Sequence, residues 1–283
     1  MPELPEVEVI VRALRPSCVG RTITGGCYSG YRLRRPVPPT LIKSLSGTKI
    51  MKLERRGKYI VISLARDSRP LKNILLIHLG MSGVLYLSET AEQPKKKTHE
   101  HIKLTLSASQ TLTFRDPRRF GFVDFCDRDD PALTRLGYEP LSPTFCAQDL
   151  YTVTRVRKQT IKSLLLNQQV IAGIGNIYAS EALFVARIAP SAIAGSLTRV
   201  RVARLHAAIR DVLTKAIKAG GSSMRDYHHP DGNPGYFQHR WQVYGQQGMV
   251  CPRCVSKGEH TPCIVRTQQQ GRATYHCRRS QRG

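Results

Sequence analysis

Met1-Pro2-Glu3-Leu4-Pro5-Glu6-Val7-Glu8-Val9-Ile10-Val11-Arg12-Ala13-Leu14-Arg15-Pro16 opens the chain, and it reads as one helix set ahead of everything else. Leu4, Val7, Val11 and Leu14 recur at helical spacing, Pro5 suits a first turn, and Pro16 with Gly20 ends the run. Loss of Met1 would leave Pro2 as a secondary amine beside the carboxylates of Glu3 and Glu6, at the positive end of the helix dipole. An α-amino group has a reference pKa of roughly 8 and keeps a neutral, nucleophilic fraction near neutral pH. Its adduct with a carbonyl-like carbon such as a sugar C1′ is a permanently charged iminium, an electron sink for elimination. Two readings stand side by side: a nucleophile with proton-shuttling carboxylates, or an ordinary helix start with acidic dipole complements.

Working outward, residues from about Thr22 to Phe125 carry short apolar and alternating runs, such as Lys49 to Leu53, Tyr59 to Leu64, Ile74 to Leu79 and Ile102 to Leu106, parted by glycine and polar turns. They predict an all-β unit of sandwich or barrel type. Lys95-Lys96-Lys97 reads as a solvated loop. Asp129 to Ser142, with Pro131, Gly137 and Pro140, reads as a connection. After Leu150 the period turns helical, with Ile161, Leu164, Leu165, Leu183 and Phe184 around a turn and a further amphipathic helix from Val200 to Ala219. Ser222 to Phe237 reads as a long loop, a kind that is usually functional. The tail from His239 to Gly283 holds eight Lys/Arg, one acidic residue and half of the cysteines. So small a segment needs a metal staple. The expected fold class is multi-domain α+β, with domains at 1–140, 141–238 and 239–283.

With 44 Lys+Arg against 20 Asp+Glu, the 283-residue chain carries a net charge of +24, which calls for a polyanionic partner, nucleic acid first. A membrane-surface role is disfavoured by the lack of a basic amphipathic helix, a lipidation signal or a long apolar run. The opening residues do not read as a signal peptide, so a cytoplasmic, reducing context is expected. Cysteines are then thiols or metal ligands, with Cys18, Cys27, Cys126 and Cys146 scattered and inert.

Nine strings occur in one order: PELPEVE, ERRGKY, HLGMSG, THEHI, DPRRFG, LGYEPL, AGIGNIYASEALF, DGNPGYF and GRATYHC. Together they closely resemble the formamidopyrimidine-DNA glycosylase family, over nearly the whole chain. The resemblance implies an N-terminal helix and β-sandwich, a helix-two-turn-helix domain and a zinc-finger-like β-hairpin, with double-stranded DNA crossing the cleft between them and one chain acting as a monomer. It implies a bifunctional base-excision glycosylase and AP lyase for oxidised purines, working through a Schiff base on Pro2 and successive β- and δ-elimination. Glu3 would protonate the sugar ring oxygen, Glu6 would assist, and Glu181 would be a supporting carboxylate or a positioning helix residue. Two rivals are a glycosylase for oxidised pyrimidines and a non-catalytic lesion-binding protein.

Base excision requires held phosphates, an extruded nucleotide and a filled gap. Gly173-Ile174-Gly175-Asn176 is a glycine turn into a helix beginning near Ile177, where backbone N–H groups suit an anion; alone it would read as a structural turn. The resemblance assigns Lys58, His99, Lys162, Asn176 and Arg272 to DNA phosphates and their surroundings, Lys58 also to the catalytic set. It assigns Met81 and Phe120 as the intercalating wedge and Arg118 to the orphaned cytosine. Without it, Met81 and Phe120 would read as core strand residues but for their glycine-flanked loops, which favour exposure, and Lys58 as an ordinary turn cation. The family's lesion-recognising loop matches Ser222 to Tyr236.

Cys251-Pro252-Arg253-Cys254 is a knuckle half-site for one tetrahedral Zn2+. The family completes it with a second such pair, but here Cys277-Arg278-Arg279-Ser280 ends in serine, a poor zinc ligand. The stretch after Cys254 adds His260 and Cys263. Three outcomes stay open: Cys263, His260 or His276 substitutes; three cysteines and water bind the ion; or the hairpin folds without zinc. Cys251, Cys254, Cys277 and Cys263 are the favoured ligand set.

Overall fold

The computed structural model describes residues 2–89, 98–222 and 237–283. Helix α1 spans Leu4–Cys18. Its start is a reciprocal capping box between Glu3 and Glu6, which satisfies N–H groups the helix cannot bond internally. The helix does not stop at Pro16 but continues to Cys18, because a proline so near the end removes a single bond and the chain still leaves through Val19 N–H to the Arg15 carbonyl at 3.1 Å.

Eight strands follow among the described residues of this region: β1 Ile23–Tyr28, β2 Lys49–Arg56, β3 Tyr59–Arg66, β4 Arg69–His78, β5 Val84–Glu89, β6 Glu100–Leu106, β7 Gln110–Arg115 and β8 Phe122–Asp127, with the short helix α2 at Leu41–Leu45. They make two four-stranded sheets, ordered β1-β6-β7-β5 and β2-β3-β4-β8, with antiparallel pairing throughout. One apolar core joins them. It takes Val7, Ile10, Val11 and Leu14 from α1, Leu53, Ile60, Ile62, Leu75 and Ile77 from one sheet, and Leu85, Ile102, Leu104, Leu112 and Phe114 from the other. Such burial is the main stabilising term, at about 25 cal/mol per Å2 of apolar surface. Arg55 of β2 reaches Glu8 of α1 at 2.9 Å, tying the helix to the sheet. Burial raises the Glu8 carboxyl, but hydrogen bonds and charge from Arg12 and Arg55 outweigh it and lower its pKa.

The chain divides into two compact units. The first holds residues 2–134 and 220–222 of those described, and the second holds 135–219 and 237–283. The second unit contains α4 Ala147–Arg155, α5 Ile161–Leu166, α6 Asn176–Val185, α7 Arg199–Lys218 and α8 Pro252–Val255, and the hairpin β9 Ile264–Gln269 and β10 Arg272–Cys277; the short α3, Pro131–Thr134, ends the first unit. Helix α6 is buried continuously from Ile177 to Phe184, since nearly every side chain in it is apolar or small, and α5, α7 and β10 pack around it. Helix α7 is amphipathic, as its spacing predicts, burying Val202, Leu205, Ile209, Val212 and Leu213. Among the described residues no helix is long and apolar enough to cross a membrane. Met1, Lys95-Lys96-Lys97 and residues 223–236 of the expected lesion-reading loop lie outside the described residues.

Candidate functional site

In the first unit, Pro2, Glu3 and Glu6 are all buried at the head of α1. Glu6 Oε2 accepts the Glu3 N–H at 2.8 Å, and Glu6 Oε1 accepts the Ser222 N–H at 2.9 Å. One carboxylate therefore caps the helix and joins it to a segment distant in sequence. Gly221, at φ +76°, would bring a Cβ within 3.3 Å of that carboxylate, so glycine serves both the backbone turn and the close approach.

Lys58 occupies, with Gly57 at φ +57°, the two-residue turn between β2 and β3 and is 7% exposed. His78, at the end of β4, packs on Tyr59 and Phe122. Burial, then the charges of Arg34, Lys58 and Arg35, push its pKa down to about 4. Its Nδ1 accepts the Gly80 N–H at 3.1 Å, so the neutral ring carries its proton on Nε2, a donor for an anion. His78 opens the HLGMSG string and is the functional candidate that reading the chain for charge passes over, because a histidine at a strand end has no distinguishing pattern.

Met81 and Phe120, the residues expected to form the wedge, lie on two loops locked backbone to backbone. A Cβ on Gly80 would meet the Phe120 carbonyl carbon and Gly121 nitrogen at 2.4 Å, and one on Gly121 would meet the His78 oxygen at 2.5 Å. Asp116, fully buried, is the lock: Oδ1 accepts the Ser82 hydroxyl at 2.6 Å and the Arg118 N–H at 3.3 Å, and Oδ2 accepts the Gly121 N–H at 2.7 Å. With the interior filled by this network, Met81 and Phe120 are left 37% and 47% exposed. The Arg118 guanidinium stands 4.9 Å from the Phe120 ring centroid. His99 is exposed at φ +73°, its carbonyl accepting the Asp116 N–H at 3.0 Å. His101 is buried between Ser29 Oγ and the Asp116 carbonyl.

In the second unit the glycine turn leads into α6 one residue earlier than expected, at Asn176 with Gly175 as N-cap. Gln168 braces the turn, accepting the Gly173 N–H and donating to the Ile174 carbonyl, each at 2.8 Å. Asn176 Nδ2 donates to the Ala273 carbonyl at 2.9 Å. Lys162 is 1% exposed and donates to that carbonyl at 3.0 Å and to Thr274 Oγ1 at 2.6 Å. Its ammonium is thus directed at the hairpin and not at solvent. Arg272 follows the two-residue Gln270-Gly271 turn and is exposed at the hairpin tip. Glu181 is 2% exposed and accepts the N–H groups of Gln242, Val243 and Tyr244 at 2.9, 3.0 and 2.9 Å. Burial raises its pKa against those three bonds, and its geometry is that of an anchor for the segment entering the tail.

The four buried cysteines Cys251, Cys254, Cys263 and Cys277 bring their sulfur atoms within 4.8 Å of one another. Cys263 precedes β9, Cys277 ends β10, and Ile264 pairs with Cys277 across the hairpin. His260 is exposed; neither it nor His276 belongs to the cluster. Ser280 stays outside as a donor, its N–H reaching Cys277 Sγ at 3.3 Å, while its hydroxyl stands 3.9 Å from Cys251 Sγ. Burial pushes the Cys277 thiol up, but hydrogen bonds from the Ser280 hydroxyl and the Ser280 and Arg279 N–H groups outweigh it and lower its pKa. Four sulfur donors at this mutual distance fit a tetrahedral, thiophilic ion. Asp124, Cys126 and Asp130 also cluster, but Arg35 fills that space, bonding Asp124 at 2.9 Å and Asp130 at 3.0 Å.

A helix-led β-sandwich, a glycine two-turn motif between helices and a four-cysteine hairpin define a helix-two-turn-helix protein of mixed α+β class. Residues 1–123 match the family described as formamidopyrimidine-DNA glycosylase N-terminal domain, and residues 136–228 match its H2TH domain. The chain is 43% identical over 286 residues to formamidopyrimidine-DNA glycosylase of Rhodospirillum rubrum and 42% identical over 285 residues to that of Thioalkalivibrio sulfidiphilus, with 100% of both chains covered in each case. Among solved structures it resembles the MutM (Fpg) protein of Thermus thermophilus, with TM-score 0.83, 38% identity and coverage of 99% and 98%. It also resembles a point mutant of Lactococcus lactis Fpg in complex with DNA containing Fapy-dG, with TM-score 0.86, 33% identity and full coverage of both chains. The Lactococcus lactis Fpg bound to abasic-site DNA gives 0.85 at 31% identity, with 99% of this chain and all of that one covered. The chain belongs to the formamidopyrimidine-DNA glycosylase family.

Proposed function

We propose that the protein is a base-excision DNA glycosylase and AP lyase that removes oxidised purines from double-stranded DNA in the cytoplasm. The observation that carries this reading is the buried Pro2–Glu3–Glu6 constellation at the head of α1, with both Glu6 oxygens engaged. After Met1 is removed, the Pro2 nitrogen bonds to C1′ of the everted nucleotide and the C1′–base bond breaks, the base leaving with a proton. Glu3 acts as the general acid, passing a proton to the sugar ring oxygen as the ring opens and leaving an iminium on Pro2. Loss of the C2′ proton then breaks the C3′–O bond, and a further elimination breaks the C5′–O bond. Lys58 and the Nε2–H of His78 hold phosphate in the first unit, and Asn176 and Arg272 in the second. Met81 and Phe120 fill the vacated stack, with Arg118 facing the orphaned base.

Cys251, Cys254, Cys263 and Cys277 would hold one Zn2+, which supplies folding energy to the hairpin that carries Arg272 and takes no part in bond breaking.

Borohydride trapping of the untagged protein tests the reading. On duplex DNA with 8-oxoguanine opposite cytosine, the cross-linked peptide should map to Pro2. Trapping on thymine glycol duplex alone would move the substrate class to oxidised pyrimidines. No cross-link on either duplex or on abasic DNA, from protein that starts at Pro2, would refute the lyase.

A further inference from the structure

Lys162 is a charged side chain that the α5 sequence places among apolar neighbours, and burying an ammonium is unfavourable unless hydrogen bonds replace its water. Its bonds go to two consecutive residues of β10, the Ala273 carbonyl and the Thr274 hydroxyl. The Ala273 carbonyl has a second donor, the Asn176 amide at the N-terminus of α6. That oxygen is the node where α5, α6 and the hairpin meet.

The Asn176 amide has two N–H groups and one oxygen. One N–H is taken by Ala273, while Oδ1 is buried without a hydrogen-bond partner. The Ala273 bond therefore sets the plane of the amide, and the second N–H is aimed by it. Lys162 in turn sets the Ala273 carbonyl, with a charge-assisted bond and a grip on the next residue. Arg272 is the preceding residue, so the same grip fixes where its side chain leaves the strand.

We propose that Lys162 is a positioning residue: its buried ammonium holds the Ala273 carbonyl so that Asn176 and Arg272 present their donors to one DNA phosphate region, without itself touching DNA. This rests on the reading of Asn176 and Arg272 as phosphate contacts.

The test is a double-mutant cycle on the full-length protein, with Lys162→Met and Asn176→Ala, reading equilibrium binding to abasic-analogue duplex over a salt series. Lys162→Met should weaken binding roughly tenfold in the wild-type background, the loss of a charge-assisted bond acting through another side chain. In the Asn176→Ala background the same substitution should cost less than about threefold. Lys162→Gln, which keeps one donor for Ala273, should recover most of the loss, and it serves as the variant of record if Lys162→Met does not fold.

Additive effects of Lys162→Met and Asn176→Ala, with the salt slope falling by about one unit for each, would mean that Lys162 contacts phosphate directly and would overturn the proposal. Additive effects with unchanged slope for Lys162→Met would make it a structural residue only and overturn it equally. Wild-type affinity for Asn176→Ala would instead sink the underlying phosphate assignment, and this proposal with it.

Discussion

Asp116→Asn changes one oxygen to an NH2 group at the lock between the loops that carry Met81 and Phe120, with almost no change in volume. In the wild type, the carboxylate accepts from three donors: Ser82 Oγ at 2.6 Å, Gly121 N at 2.7 Å and Arg118 N at 3.3 Å. An asparagine can place its oxygen toward Gly121 or toward Ser82 and Arg118, and in either case an NH2 faces a backbone N–H in a site with no solvent access. One charge-assisted bond is lost and one donor is left buried and unpaired, together about 3 kcal/mol. For a protein of this size that corresponds to a drop in melting temperature of about 6–12 °C. Loosening the loops should also release Met81, Arg118 and Phe120, weakening lesion-duplex binding by about tenfold, or roughly 1.4 kcal/mol. Differential scanning calorimetry and fluorescence anisotropy measure the two effects. A variant that melts within about 2 °C of wild type and binds lesion duplex equally well would refute the lock.

The cysteine cluster predicts one zinc per chain by metal analysis, with Cys263→Ser losing at least about 100-fold in zinc affinity while Ser280→Ala loses no more than about tenfold; equal losses would show Ser280 to be a ligand, against both the sequence reading and the cluster. His78 has a folded pKa of about 4 against about 6.5 unfolded. The unfolded state therefore binds the extra proton first, and the stability present above pH 6.5 is lost as pH falls toward 4. His78→Asn should remove about 2 kcal/mol of the wild-type stability difference between about pH 7.5 and about pH 5, and identical acid unfolding curves would count against a neutral buried His78. Binding to any duplex should weaken steeply with salt, as expected of a chain with net charge +24; a flat titration would exclude a phosphate-dominated interface.

Local structure was legible along the chain itself. The α1 capping box needs only Glu3 and Glu6 three residues apart, the β2–β3 and β9–β10 hairpins need only a glycine between alternating runs, and a CxxC knuckle needs only its own spacing. These signals are short-range, and backbone geometry satisfies them within a few residues. The exact end was less legible: Pro16 and Gly20 bracket it, and α1 runs on past Pro16 to close at Cys18, since one missing bond near a helix end is cheaper than unwinding buried Leu14 and Cys18.

Tertiary structure alone decided the assignments that depend on two distant segments meeting. Cys263, which the sequence favoured while leaving His260 and His276 open, sits beside Cys277 because Ile264 pairs with Cys277 across the hairpin, and that pairing closes the choice. Lys162 looks like one more basic residue before the glycine turn, and only the packing of β10 on α6 turns its charge inward. Asp116 gains its role because Gly80 and Gly121 let two segments approach at backbone distance. Residue identity in sequence specifies what a side chain can donate or accept; burial and partner, set by long-range packing, decide which of those capacities is used.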